Sequence, residues 1–306
     1  MAKFSWSSIQ SIEVLERSRS QRFRPELREI LTQYFGLAPG MRVLDVGCGP
    51  GTFTTFLAGV VAPGEVTGLD LDEEFIAHAT AKASAAGIPG LTYVVGDAYA
   101  LPFADQSFDA VTSYTGIGVL TDPPRAVAEM LRVCRPGGWV SVAEGVLGPA
   151  GLRFDGVDAL AEVEPYPGAR RLHELTLRLR NGQGASAPGT GSPRWPRQAL
   201  WALLPQLGLE DVELNAWGHV VAPDDHRTPP DLHSGLRAEA YEELQDWVQW
   251  LLGGNGHSAL RREELEEILV LLERRRLWAL EHPLWDWEAS LSLVARGRKP
   301  GRLRTP

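Results

Sequence analysis

The chain has 306 residues, a formal charge of -9 and 44% hydrophobic content, enough for a sizeable core. That charge argues against a polyanionic substrate, and two cysteines, Cys48 and Cys134, give no disulfide framework and suit a reducing, cytoplasmic setting. No apolar run approaches the roughly 20 residues that span a bilayer, and the first residues lack the basic-then-apolar layout of a signal peptide.

Residues 5–35 read as helical, with Pro25 opening an amphipathic segment that the stretch Gly36 to Gly40 stops. Val43 to Val46 is a short apolar run of buried-strand type, with Asp45 near its end. Gly47, Gly49 and Gly51 then fall at alternate positions before a helix-compatible run from Thr52. Such a turn lets the main chain lie against a ligand, and the N–H groups of the next helix favour a carboxylate or phosphate. A dinucleotide fingerprint would need glycine where Thr52 stands, so NAD is disfavoured.

Glu65 to Asp70 reads as a second strand closing on a carboxylate, a residue type that matches a ribose diol because it only accepts hydrogen bonds. A third strand from Leu91 leads into Gly96-Asp97-Ala98, and Phe108 to Ser113 forms a fourth. Asp122 caps a helix that starts with Pro123 and ends at Arg135-Pro136-Gly137-Gly138, ahead of strand five, Trp139 to Ala143. Strand and helix alternate as a doubly wound sheet requires. Beyond it lie a helical run at 171–180, a loop rich in glycine and proline at 187–193, a helix from Ala199, and strand six, Glu210 to Leu214. Two more helical runs, 239–252 and 261–280, precede strand seven, Ala289 to Ala295; Trp247, Trp250, Trp278, Trp285 and Trp287 gather between strands six and seven.

The Gly-x-Gly-x-Gly turn led by Asp45, then Asp70, then Gly96-Asp97-Ala98, resembles the motif series of class I S-adenosylmethionine-dependent methyltransferases. Asp105 to Val111 and Glu129 to Gly138 look like later elements of the small-molecule branch that includes the menaquinone and ubiquinone biosynthesis methyltransferases. The similarity is closest over 38–145 and weaker over 195–221. It implies an α/β, Rossmann-like seven-stranded sheet with strand seven antiparallel and helical cap insertions. The expected organisation is an N-terminal helical segment at 1–37 and a core at 38–221 plus 288–298. A lid region at 146–197 would interrupt that core, and a helical acceptor cap would occupy 222–287.

The resemblance also implies S-adenosylmethionine as methyl donor. Asp45, Gly47 and Gly49 would hold its methionine end, with Cys48 and Leu71 as further contacts. Asp70 would meet the ribose, Asp97 and Ala98 the adenine, and Tyr114 would line the methyl side. The reaction would be in-line methyl transfer to a small, partly apolar organic acceptor, releasing S-adenosylhomocysteine. His173, His219 and Glu144 are candidate general bases, of which His173 is retained as catalytic.

Plainer roles compete. Asp45 would merely brace the turn through backbone N–H bonds, Gly51 would serve packing, Cys48 would fill space, and Asp70 or Asp97 would be solvated strand ends. Tyr114 is either pocket wall or acceptor contact, and the tryptophans either line a cap, pack the insertion or join two copies. No metal and no nucleic acid is expected. An amino-methyltransferase of nucleic acids would carry Asp/Asn-Pro-Pro-aromatic at the tip of strand four, where this chain has Ser113-Tyr114-Thr115-Gly116. A catalytically silent protein that binds S-adenosylmethionine as partner or regulator is the alternative function; monomer and homodimer both stay open. The acceptor is not legible, because selectivity lives in the site rather than in the scaffold.

Overall fold

In the computed structural model, which describes residues 12–20, 22–145, 154–155, 166–182, 197–221, 244–254, 258–282 and 288–301, the chain divides into two units. The first comprises Met1–Gly145, Arg194–Trp217 and Ser292–Pro306; the second comprises Val146–Pro193 and Gly218–Leu291.

At the centre of the first unit is β1 (Arg42–Val46), where Val43, Leu44 and Val46 are wholly buried. A strand buried on both faces must be apolar on both, which is why the run does not alternate. Burying each such side chain is worth about 1.5–3 kcal/mol. Ahead of it come α1 (Ile12–Ser20) and α2 (Arg28–Phe35). After it run α3 (Thr52–Val61), β2 (Glu65–Asp70), α4 (Glu73–Ala86), β3 (Leu91–Val95), β4 (Phe108–Tyr114), α5 (Pro123–Val133) and β5 (Cys134–Gly145). The chain then passes α6 (Ala169–Gly182), α7 (Arg197–Gln206), β6 (Glu210–Val221), α8 (244–252) and α9 (Arg262–Glu281) before β7 (Glu288–Arg298).

The sheet runs β3-β2-β1-β4-β5-β7, with β6 paired to β7. Strands β1 to β5 are parallel and β7 is antiparallel to β5, from Trp139 opposite Arg298 to Gly145 opposite Ser292. Seven strands with the seventh reversed is the architecture expected. A two-residue piece, Phe154–Asp155, adds a short eighth rung against Ala289 and Glu288. Chain order reverses between β1 and β4, which opens a crevice at their carboxyl ends.

Local chemistry sets the helix ends. Asp72 Oδ1 accepts the N–H groups of Glu74 and Phe75 to start α4, and Gly87, at φ 61°, ends it. Asp122 Oδ1 accepts the Arg125 N–H at 3.2 Å, with Pro123 inside the first turn of α5. The expected helix at 5–35 is interrupted. Residues Pro25–Leu27 form a separate 3-10 turn behind an extended Arg24, because the residue before proline avoids the helical region. Residues 5–11 lie outside those described.

One strand boundary also differs from expectation. Arg135 to Gly138 were expected only to stop α5, yet β5 begins at Cys134, which pairs with Phe108. Trp139 pairs with Ala110, so the four residues between bulge from the ladder. Gly138 permits this, since a Cβ there would come within 2.6 Å of the Asp109 carbonyl.

Arg132 fastens the segment that follows β3. Its guanidinium donates to the Leu101 and Phe103 carbonyls at 2.9 Å each, to Asp105 at 2.7 Å and to Glu129 at 2.8 Å. Glu129 in turn accepts the Leu101 N–H at 2.9 Å, and the arginine holds its carboxyl below the usual range. Arg132→Ala should therefore destabilise the protein by about 2 kcal/mol in urea unfolding, because two carbonyls and two carboxylates lose their donor together.

The second unit is a helical cluster. Leu172, Leu175 and Leu179 of α6 join Val248 and Leu251 of α8 and Leu265, Ile268, Leu271 and Leu272 of α9. Arg171 binds Glu267 at 3.0 Å and Arg178 binds Glu264 at 2.7 Å. Trp247 and Trp278 pack against the cluster, whereas Trp250 stays 36% exposed. The loop at 187–193 and Trp285 and Trp287 lie outside the described residues. No described helix is long and apolar enough to cross a membrane.

Candidate functional site

The turn after β1 uses its three glycines differently. Gly47, Gly49 and Gly51 all have positive φ, at 73°, 55° and 86°. The N–H groups of Gly47 and Cys48 donate to the Leu69 carbonyl at 2.7 and 3.0 Å, pinning the turn to β2. A Cβ on Gly47 would come 3.1 Å from the Gly116 Cα, and one on Gly51 would strike the Tyr93 phenol and Ala79. A Cβ on Gly49 would meet nothing within 4 Å. Gly51 is thus a packing glycine, while Gly49 faces open space.

Asp45 is 1% exposed. Its Oδ2 accepts from the Thr54 hydroxyl at 2.7 Å, while Oδ1 is sealed from solvent and has no hydrogen-bond partner. The turn-brace role required backbone N–H donors, and among the described residues none reaches it. Burial pushes the carboxyl up to about 7, helped by the Asp70 charge and opposed by the Thr54 bond and by Arg19.

Asp70 closes β2 and ties it to the turn. Oδ2 accepts the Gly49 N–H at 2.8 Å and Oδ1 the Asp72 N–H at 3.0 Å. Burial raises its pKa, and those two backbone bonds pull it back. Leu71 follows with 41% exposure, unlike the leucines of the core. Asp97 is exposed, with Oδ1 accepting the Tyr99 N–H at 2.8 Å, and Ala98 beside it is half-buried. Tyr114, the last residue of β4 rather than the first beyond it, is 3% exposed. Its hydroxyl lies 3.1 Å from both Arg22 Nη1 and Ser292 Oγ, and its ring sits against Phe23, Phe53 and Trp217.

The three candidate bases stand apart in character. Glu144 is buried on β5, with Oε1 accepting the Gly118 N–H at 2.9 Å. His173 is exposed on α6 in the second unit. The His219 side chain lies outside the described residues. Among the described residues no cluster suits a metal ion.

Sequence reasoning missed Arg19, Arg22 and Thr115. Arg19 reaches from α1 to the tip of β4, where Nη2 donates to Thr115 Oγ1 at 3.2 Å. Glu16 anchors the same helix to α4 through His78 at 3.1 Å and Lys82 at 2.6 Å. The available signal was compositional: Arg17, Arg19, Arg22 and Arg24 cluster in a chain that is acidic overall.

Residues 44–142 match the family model described as a methyltransferase domain, a span that contains Asp45, the glycine turn, Asp70, Asp97 and Tyr114. The chain carries a methyltransferase domain. A demethylmenaquinone methyltransferase of Renibacterium salmoninarum is 39% identical over 132 residues, covering 43% of this chain and 51% of the relative. Another, of Bacillus cytotoxicus, is 37% identical over 132 residues, covering 43% and 54%. The chain spans about half the length of the curated relatives it matches. Phosphoethanolamine N-methyltransferase 2 of Haemonchus contortus, solved with S-adenosyl-L-methionine, shares the fold at a TM-score of 0.51 and 15% identity, over 98% of this chain and 61% of that one.

Both thiols of the methyltransferase domain are buried. Burial pushes Cys48 well above the ordinary thiol range, with Asp45 and Asp70 adding to the rise, and pushes Cys134 up to about 12. Iodoacetamide at pH 8 should alkylate neither in the native protein and both in urea, read by intact mass.

Proposed function

We propose that this protein transfers a methyl group from S-adenosylmethionine to a small, partly apolar organic acceptor by in-line displacement, releasing S-adenosylhomocysteine. One observation carries the reading. At the switch point, a sealed carboxylate oxygen without a donor, Asp45 Oδ1, lies beside a left-handed turn whose Gly49 faces open space. A buried acceptor left unmatched costs about 1–3 kcal/mol until a donor reaches it. The α-ammonium of a methionyl group is such a donor.

The remaining assignments follow the chemistry of each side chain. Gly47, Cys48 and Gly49 present backbone to the methionine end, and Asp70 has lone pairs left for a ribose diol. Asp97 and the Ala98 N–H suit the adenine edge, and the exposed Leu71 suits its face. Tyr114 lines the methyl side. When bound, S-adenosylmethionine supplies a methyl already activated on a sulfonium. The chain's own task is to orient the reactants and exclude water, and such positioning can be worth about 7–11 kcal/mol.

A base is needed only where the acceptor must lose a proton, a role worth roughly 10²–10⁴-fold. His173 stands as the candidate, and unchanged turnover of His173→Ala across pH would dismiss it. Acceptor choice is assigned to the inserted regions 146–197 and 222–287; the relatives' names support a small acceptor. Trp250→Ala should then raise the acceptor KM and leave the S-adenosylhomocysteine Kd unchanged.

Calorimetric titration with S-adenosylmethionine and S-adenosylhomocysteine tests the donor. Release of S-adenosylhomocysteine across an acceptor panel then tests the reaction. Binding without release on any acceptor would turn the reading to a silent, regulatory protein, and no binding would end it.

A further inference from the structure

Helix α9 is apolar on two sides. Its inner side, with Leu265, Ile268, Leu271 and Leu272, closes the helical cluster of the second unit. Its outer side carries Val270, Leu277 and Leu280 at 54%, 50% and 61% exposure. Steps of seven and then three residues keep these three on one line along the helix. Eight large apolar side chains are exposed among the described residues, and three of them stand on this face. Single apolar residues scattered over a surface need no explanation, but a line of them marks a contact.

Charge says what fits it. The first half of α9 holds Glu263, Glu264, Glu266 and Glu267, and the second half holds Arg274, Arg275 and Arg276. A second copy laid parallel would bring acid to acid and base to base. The same helix reversed brings each half to its opposite, which is the self-complementarity a two-fold axis demands. Val270 stands four residues after Glu266 and four before Arg274, and both of these are exposed. With the axis at Val270, Arg274 of each copy comes opposite Glu266 of the other, about 6 Å along the helix from the axis. Glu266 also meets Arg262 of its own helix at 3.0 Å, an exposed pair of little strength that leaves it able to bind across the axis.

We propose that two copies of this chain pair through the outer face of α9, with the two helices antiparallel about a two-fold axis at Val270. The pairing goes beyond the methyl-transfer reading and does not depend on it.

Sedimentation equilibrium of the full chain tests it. The wild type should associate to a dimer with a dissociation constant in the micromolar range. Val270→Asp sets two carboxylates at the axis and should weaken association at least ~30-fold, with the circular dichroism unchanged because the position is exposed. Arg274→Glu and Glu266→Arg should each weaken it about tenfold. An equimolar mixture of those two variants should associate as tightly as the wild type, since one carries only acid at the two positions and the other only base. The double variant should regain the wild-type constant for the same reason. A wild type that stays monomeric at about 100 μM overturns the proposal and gives the face to another occupant. A dimer that Val270→Asp leaves intact overturns it too, by placing the interface elsewhere. Failure of both the mixture and the double variant to restore association overturns the antiparallel pairing and the proposal with it.

Discussion

Asp45→Asn is expected to stabilise the free protein at pH 8 while abolishing its affinity for S-adenosylmethionine. Unfolded, Asp45 releases its proton near 3.8; folded, burial holds it until about 7. Between those values the native state binds a proton that the unfolded state has lost, so stability falls as pH rises through the window and stays low above it. At about 1.4 kcal/mol per pH unit, the span sets an upper bound of ~4 kcal/mol. Asp70 shares the field, so about 2 kcal/mol is the expected gain. Asparagine keeps an oxygen for the Thr54 hydroxyl and carries no charge, so the gain survives the swap. Urea unfolding from pH 5 to 8 should slope downward in the wild type and flatten in the variant. A buried ionised group that opposes folding persists where function uses it, which is the trade between stability and activity. Equal pH slopes in the two proteins would show that Asp45 does not titrate in that window.

The second large effect separates two glycines that lie two positions apart. Gly51→Ala forces a side chain into the Tyr93 phenol and holds alanine at φ 86°. Left-handed strain of about 1–2 kcal/mol and overpacking of about 1–3 kcal/mol act together, so a loss near 3 kcal/mol is expected. Gly49→Ala carries only the strain, because nothing lies within 4 Å of its Cβ. It should cost about 1 kcal/mol in urea and, on the proposed placement of the donor, at least ~100-fold in S-adenosylmethionine Kd, as the new methyl would stand in the open space assigned to it. A Gly49→Ala protein that binds normally would move the cofactor away from the turn.

Sequence by itself determined the sheet and the line of candidate ligand residues. Apolar runs, glycine spacing, the Asp122-Pro123 cap and the strand-end carboxylates are local signals, because strand burial, turn geometry and helix capping are decided within a few residues of the chain. That is why Val43 to Val46, Gly47 to Gly51, Asp70 and Asp97 were recognisable before any contact was known. Only the tertiary structure decided which lone pair of Asp45 goes unmatched, which glycine packs and which faces open space, and that Arg19 meets Thr115 across 96 residues. Those outcomes depend on burial and on side chains brought together from distant segments. No periodicity records them, since the free energy of an unpaired charge exists only once water has been shut out.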